Sequence, residues 1–152
     1  MDNTFAISLK QQEKFAFKVN WQQDSLEPLL TDEPKPLGEG KGPNPTRMLA
    51  AAVANCLSAS LLFALGKFGN ELSGLEAKIE GTVERNDDKR WRVSLLEVQI
   101  TLPEEIAKLN FAERALNQFE SFCVVTESVR EGIPVHLSVQ DSTGKTVHQS
   151  EK

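Results

Sequence analysis

Histidine and cysteine occur only twice each in these 152 residues, and 17 basic side chains against 22 acidic ones leave a formal net charge of -5. His136 and His148 are isolated, and no Cys/His spacing resembles a zinc site, so no metal is expected. Without a basic stripe for phosphate backbones, nucleic acid is not expected as a partner. Met1-Asp2-Asn3-Thr4 carries an acid and no apolar segment follows it, so no secretory signal is read and a cytoplasmic address is expected. The longest apolar stretch, Met48 to Leu65, is alanine-rich and interrupted by Asn55, Ser58 and Ser60. That pattern suits a buried helix of a soluble protein better than a lipid-spanning one, and no membrane partner is expected. GxSxG, HExxH and carboxylate-pair motifs are missing. Gly38-Glu39-Gly40-Lys41-Gly42 lacks the spacing of a phosphate loop and reads as a mobile flap.

What is present fits one soluble domain spanning 1–152, with 39% hydrophobic and 26% charged residues. Phe5, Ile7 and Leu9, then Phe15, Phe17, Val19 and Trp21, alternate around a polar break at Gln11-Gln12-Glu13, which predicts a β-hairpin. Five prolines and three glycines between Glu27 and Pro45 predict loop around a short strand at Leu29-Leu30. Asn44-Pro45 starts a helix, Asn capping the free N–H groups and Pro giving up no hydrogen bond; Gly69 can end it after Phe68. Apolar residues occupy every face of that helix, so it is expected to be buried almost all round. A second hairpin alternates through Leu75, Ala77, Ile79 and Val83, turns at Asn86 to Lys89, and returns through Trp91, Val93 and Leu95, with a phase slip at Leu95-Leu96 that suggests a bulge. Pro103 opens a helix to about Glu120, Ser121 caps a third to about Glu131, and a last strand at Val135, Leu137 and Val139 precedes a polar tail, 141–152. The order ββ-α-ββ-αα-β is α+β with mainly antiparallel strands.

The two cysteines sit in different surroundings. Cys56 lies mid-helix, with Asn55 beside it and Ser60 one turn further along the same face; a packed, inert thiol is the favoured reading from residue type alone. Cys123, in the first turn of a helix capped by Ser121, would have a thiolate favoured by the helix dipole and is nominated as the more acidic thiol; packing under Phe119 and Phe122 is the equal alternative.

The stretch Gly42-Pro43-Asn44-Pro45-Thr46-Arg47-Met48-Leu49-Ala50-Ala51-Ala52-Val53-Ala54-Asn55-Cys56 resembles the OsmC/Ohr family, in which a G-x-N-P segment opens the central helix and an alanine-rich run leads to the first cysteine. Phe122-Cys123-Val124-Val125-Thr126 is similar to the family's C-P-[VI]-[ST] segment, with Val124 where proline is usual. The resemblance implies an OsmC-like fold, antiparallel sheets wrapped around a long buried central helix in an intertwined homodimer. It implies a two-cysteine peroxidase that reduces organic hydroperoxides in oxidative-stress defence: Cys56 attacks, becomes sulfenic acid, and is resolved by Cys123 as a disulfide. By the same resemblance a dithiol such as a lipoylated protein, and no bound cofactor, would be the reductant.

The family's peroxidases also activate the thiolate with an arginine from the N-terminal strands and a glutamate ten residues before the first cysteine. Here that glutamate position holds Thr46, and no arginine precedes Arg47. Arg47 of a partner subunit, or Lys41, is left to supply the cation, since nine residues at about 100° each put Arg47 across the helix from its own Cys56. A redox-sensing or apolar-ligand-binding member that is not a peroxidase is the alternative reading. A helix apolar on all faces also needs more cover than one chain of this size readily provides. Sedimentation at micromolar concentration is therefore expected to show a homodimer; a stable monomer would remove that expectation.

Overall fold

The computed structural model describes residues 3–152, and its contacts divide the chain into two units, 1–54 with 78–99 and 55–77 with 100–152. The elements are β1 (Ser8–Glu13), β2 (Ala16–Asn20), β3 (Leu29–Thr31), α1 (Pro45–Gly66), β4 (Glu76–Arg85), β5 (Trp91–Thr101), α2 (Ala112–Leu116), α3 (Val124–Glu131), β6 (His136–Gln140) and β7 (Thr146–Glu151). Single 3-10 turns at Ile106–Lys108 and Phe119–Phe122 complete them. The fold is mixed α and β, as expected.

In the first unit β1, β2 and β3 form an antiparallel sheet in that order, with Leu9 opposite Val19 and Val19 opposite Leu29. Gln11-Gln12-Glu13 form the last half of β1 and are not the break between the strands. The chain turns instead at Lys14-Phe15, where Lys14 takes a left-handed conformation, and the register shifts between Gln11 and Glu13. Phe5 and Ile7 precede the strand.

The glycine-rich run between β3 and α1 is pinned, which corrects the expectation of a mobile flap. Asp32 is buried, and its carboxylate accepts from the backbone N–H groups of Glu33, Glu39 and Lys41 at 2.8, 3.0 and 3.1 Å. Those bonds, that from Lys41 foremost, hold its carboxyl below the usual aspartate range against the opposing effect of burial. Gly38 and Gly42 are needed for close approach: a Cβ at Gly38 would run into the Glu33 carbonyl oxygen, and one at Gly42 into the Leu30 carbonyl oxygen.

Asn44 caps α1 as expected, its Oδ1 accepting from the N–H of Arg47 at 3.1 Å. The helix ends at Gly66, and Gly69 carries the left-handed φ of +80° in the turn that follows. The β4–β5 hairpin turns through Asn86 to Arg90. On β5 the half-buried positions are Val93, Leu96, Val98 and Ile100, so the alternation slips by one at Leu95-Leu96.

In the second unit the core is built on the last turns of α1. Leu61, Ala64 and Leu65 cluster with Ala112 and Ala115 of α2, with Phe68, Leu109 and Phe119 packed around them. The expected helix from Pro103 to about Glu120 is broken. Phe111 adopts φ 50°, ψ 34°, leaving one 3-10 turn before it and only Ala112–Leu116 helical after it. A non-local clamp fixes that break: Asn70 donates to the Leu65 and Asn110 carbonyls at 3.0 and 2.8 Å and accepts from the Asn110 N–H at 2.8 Å. The polar tail, 141–152, is also ordered. It turns at Asp141, whose Oδ1 accepts from Thr143 and Lys145, and returns as β7 antiparallel to β6.

The expectation that α1 is buried almost all round is not met within the chain: Leu49, Leu62 and Phe63 are exposed on one side, while Val53, Leu57, Leu61, Ala64 and Leu65 are buried. By length and composition alone this helix could cross a membrane, a test that apolar core helices also pass.

Replacing Gly42 with alanine should lower stability by about 1–3 kcal/mol, the usual cost of overpacking a closed site. Chemical denaturation of the variant measures it.

Candidate active site

The second unit brings two sulfurs together. Cys56 lies in the middle of α1 and is half-buried; Cys123 directly precedes α3 and is 0% exposed. Their thiols are hydrogen-bonded to each other, and both cysteines are reduced.

Cys123 occupies the capping position of α3 in an extended conformation, φ -80°, ψ 95°. Ser121, expected there, instead donates to the Gln118 carbonyl at 2.8 Å and closes the preceding turn. The physical reason is the 3-10 turn Phe119–Phe122, which carries the chain two residues further before its backbone becomes extended. Cys123 therefore stands where serine or aspartate commonly caps, and its sulfur reaches the third residue of the helix: Cys123 Sγ and Thr126 Oγ1 are 3.0 Å apart. Arg130 ties the same junction from outside, bonded to Glu120 at 2.9 Å and Glu127 at 2.6 Å.

The two sulfurs differ in charge preference. Burial pushes the Cys56 thiol above its ordinary value and its bond to Cys123 adds to this, against the lowering effect of the Val125 and Thr126 backbone N–H groups. For Cys123 burial is also the largest single influence and acts upward. Four donors together outweigh it: the Cys56 thiol, the Thr126 hydroxyl, the Thr126 N–H and the Ser60 hydroxyl. The net result is a Cys123 thiol below the ordinary range. When this pair loses its first proton, the one that remains is carried by Cys56 and offered to a Cys123 thiolate.

Of the residues singled out by sequence, Cys56, Cys123 and Ser60 meet here. Asn55 is exposed on α1. Thr46, Arg47 and Lys41 belong to the first unit. There Thr46 and Arg47 line a cleft of about 630 Å³ with Ala50, Ile79 and Val83, and Arg47 Nη1 lies 3.5 Å from Asn44 Oδ1. Lys41 pairs with Glu13 at 3.4 Å. Sequence reasoning places Thr126 in the segment that follows Cys123 but gives it no role in the site. It also missed Lys67, whose ammonium sits 4.7 Å from the Phe63 ring centre and 4.8 Å from that of Phe122, next to Cys123. Among the described residues no group of histidine, cysteine and acids could hold a metal.

Thiolate absorbance against pH should show a first ionisation below the ordinary thiol range. Cys123→Ser should abolish that step, and Thr126→Val should move it upward by removing one donor. A first step unchanged by Cys123→Ser would refute the assignment. Since the folded pKa of Cys123 is depressed, its thiolate stabilises the fold above the unfolded thiol pKa, and that contribution is lost as pH falls through the folded value.

A family model described as OsmC-like protein matches residues 38–138. No curated protein matches the chain. Solved structures with the same fold include an OsmC-like protein of unknown function from Vibrio cholerae, 15% identical, with a TM-score of 0.67 over 84% of this chain and 94% of that one. The organic hydroperoxide resistance protein OhrB of Bacillus subtilis is 16% identical, with a TM-score of 0.62 over 84% and 90%. The organic hydroperoxide resistance protein OsmC from Legionella pneumophila is 18% identical, with a TM-score of 0.60 over 84% and 89%. With a match that spans the capped helix start, both cysteines and α3, the chain belongs to the OsmC-like protein family.

Proposed function

We propose that this protein is a thiol-dependent peroxidase that reduces organic hydroperoxides in the cytoplasm as part of oxidative-stress defence, working as a homodimer with a dithiol reductant such as a lipoylated protein. The observation that carries the reading is the hydrogen-bonded pair of Cys56 and Cys123 at the start of α3. Family membership and the hydroperoxide-resistance proteins that share the fold support it.

The chemistry runs as follows. Cys56, the more accessible sulfur, passes its proton to Cys123 and attacks the terminal oxygen of the hydroperoxide. The S–O bond forms as the O–O bond breaks, and the leaving alkoxide takes the proton back from Cys123 as an alcohol. Cys123 thiolate then attacks the Cys56 sulfenic acid sulfur. The S–S bond forms, and hydroxide leaves and is protonated to water. In this scheme Cys123 is base, acid and resolving thiol in turn, which supplies part of what an arginine and a glutamate provide elsewhere in the family.

A second reading, a slow redox-sensing or apolar-ligand-binding member, is favoured by one specific observation: the activating glutamate's place is taken by Thr46. The two separate in one assay. With excess dithiol, the peroxidase should consume cumene hydroperoxide faster than hydrogen peroxide, and Cys56→Ser should fall to the background of free thiol. Consumption no faster than that of the Cys56→Ser variant would sink the enzymatic reading and leave the second.

A further inference from the structure

The surroundings of the sulfur pair are unequal, and the inequality gives the disulfide a direction. Resting on the two-cysteine reading above, we infer that an incoming thiol attacks Sγ of Cys56 and expels Cys123 as thiolate, so that the reductant becomes joined to Cys56 and not to Cys123.

Two geometric facts act together. The first is access: Cys123, which follows the Phe119–Phe122 turn, is 0% exposed, whereas Cys56 is half-buried. The second is the fate of the leaving sulfur. In thiol–disulfide exchange the sulfur that better bears negative charge departs more readily. Donors from two different elements converge on Cys123: the Ser60 hydroxyl from α1, and the Thr126 hydroxyl and N–H from α3. None of these three donors belongs to Cys56. For Cys56 the backbone N–H groups of Val125 and Thr126 favour the thiolate, while burial works against its charge. Ser60 and Thr126 are thus positioning residues that act on the reacting pair through Cys123.

The step balances without another reagent. A thiolate RS⁻, its proton left in solvent, forms a bond to Cys56 Sγ as the Cys56–Cys123 bond breaks. The electron pair of the broken bond goes to Cys123, which stays a thiolate. The second thiol of a dithiol then attacks the R sulfur, closes the reductant's own disulfide and releases Cys56, which takes up a proton and restores its bond to Cys123. Two electrons from one dithiol reduce one disulfide.

Peptide mapping tests this without any peroxidase assay. The protein is oxidised with diamide, exposed briefly to 2-mercaptoethanol, quenched in acid and labelled with N-ethylmaleimide. The mercaptoethanol adduct is expected on the Cys56 peptide and maleimide on the Cys123 peptide, with an excess of roughly tenfold over the reverse. Thr126→Val and Ser60→Ala should each slow adduct formation and erode that excess, and Thr126→Ser, which keeps the hydroxyl, should restore it. If Thr126→Val does not fold, Ser60→Ala carries the same comparison. Adducts on Cys123, or an even split, would overturn the direction while leaving the two-cysteine reading intact. A protein in which diamide forms no intramolecular disulfide would fail both.

Discussion

An α-helix without a polar side has to be covered, and α1 is such a helix. Of its 22 residues, Arg47 is the one charged member, and apolar residues occupy every face. Each unit of the chain contributes cover to its own part: Val53 and Ala54 are buried in the first, Leu57, Leu61, Ala64 and Leu65 in the second. Burial of this kind stabilises by about 25 cal/mol per Å² of apolar surface removed from water, and it is non-directional. Direction comes instead from the polar residues at the helix ends. Asn44 sets the start, and Asn70 joins the finish to the chain before α2.

Cys56 inherits its properties from that constraint. A sulfur placed mid-helix in apolar surroundings is held protonated, and a lone cysteine there would be inert. What changes its chemistry is the approach of α3, whose first N–H groups, with the Cys123 thiol that precedes them, act on it. The family's usual solution places an arginine and a carboxylate beside the first sulfur. Here the polar groups gather on the second sulfur, and the first is reached through it.

Much of this was legible because the signals were local. Asn44-Pro45 marks a helix start through backbone chemistry that needs no tertiary information, and the all-apolar pattern up to Leu65 marks a core helix whatever surrounds it. The break near Phe111 was not legible, because the residues that hold it, Asn70 and Asn110, lie 40 positions apart. The cap of α3 was misplaced by two residues because serine is the better capping residue in isolation, while the 3-10 turn that displaces it is a matter of packing. The return strand β7 carries polar residues at most positions and is almost wholly exposed, so hydrophobic period could not reveal it. The turn residues Asp141 and Gly144 could have. Of the site itself, the two cysteines and Ser60 were found from sequence; Thr126 and Arg130 were not, because their importance lies in what they touch.

The residue after Cys123 gives the site a different character from its relatives. Val124 stands where the family pattern has proline, and it is 71% exposed, so it packs little. A proline there would hold its own φ near -65° through its ring and disfavour helical geometry in the residue before it, which is the extended shape Cys123 adopts. In this chain no ring enforces that shape. The resting place of the second sulfur is instead kept by the hydroxyls and ion pairs around it, so its precision is an entropy cost met on folding and not a covalent property of the backbone.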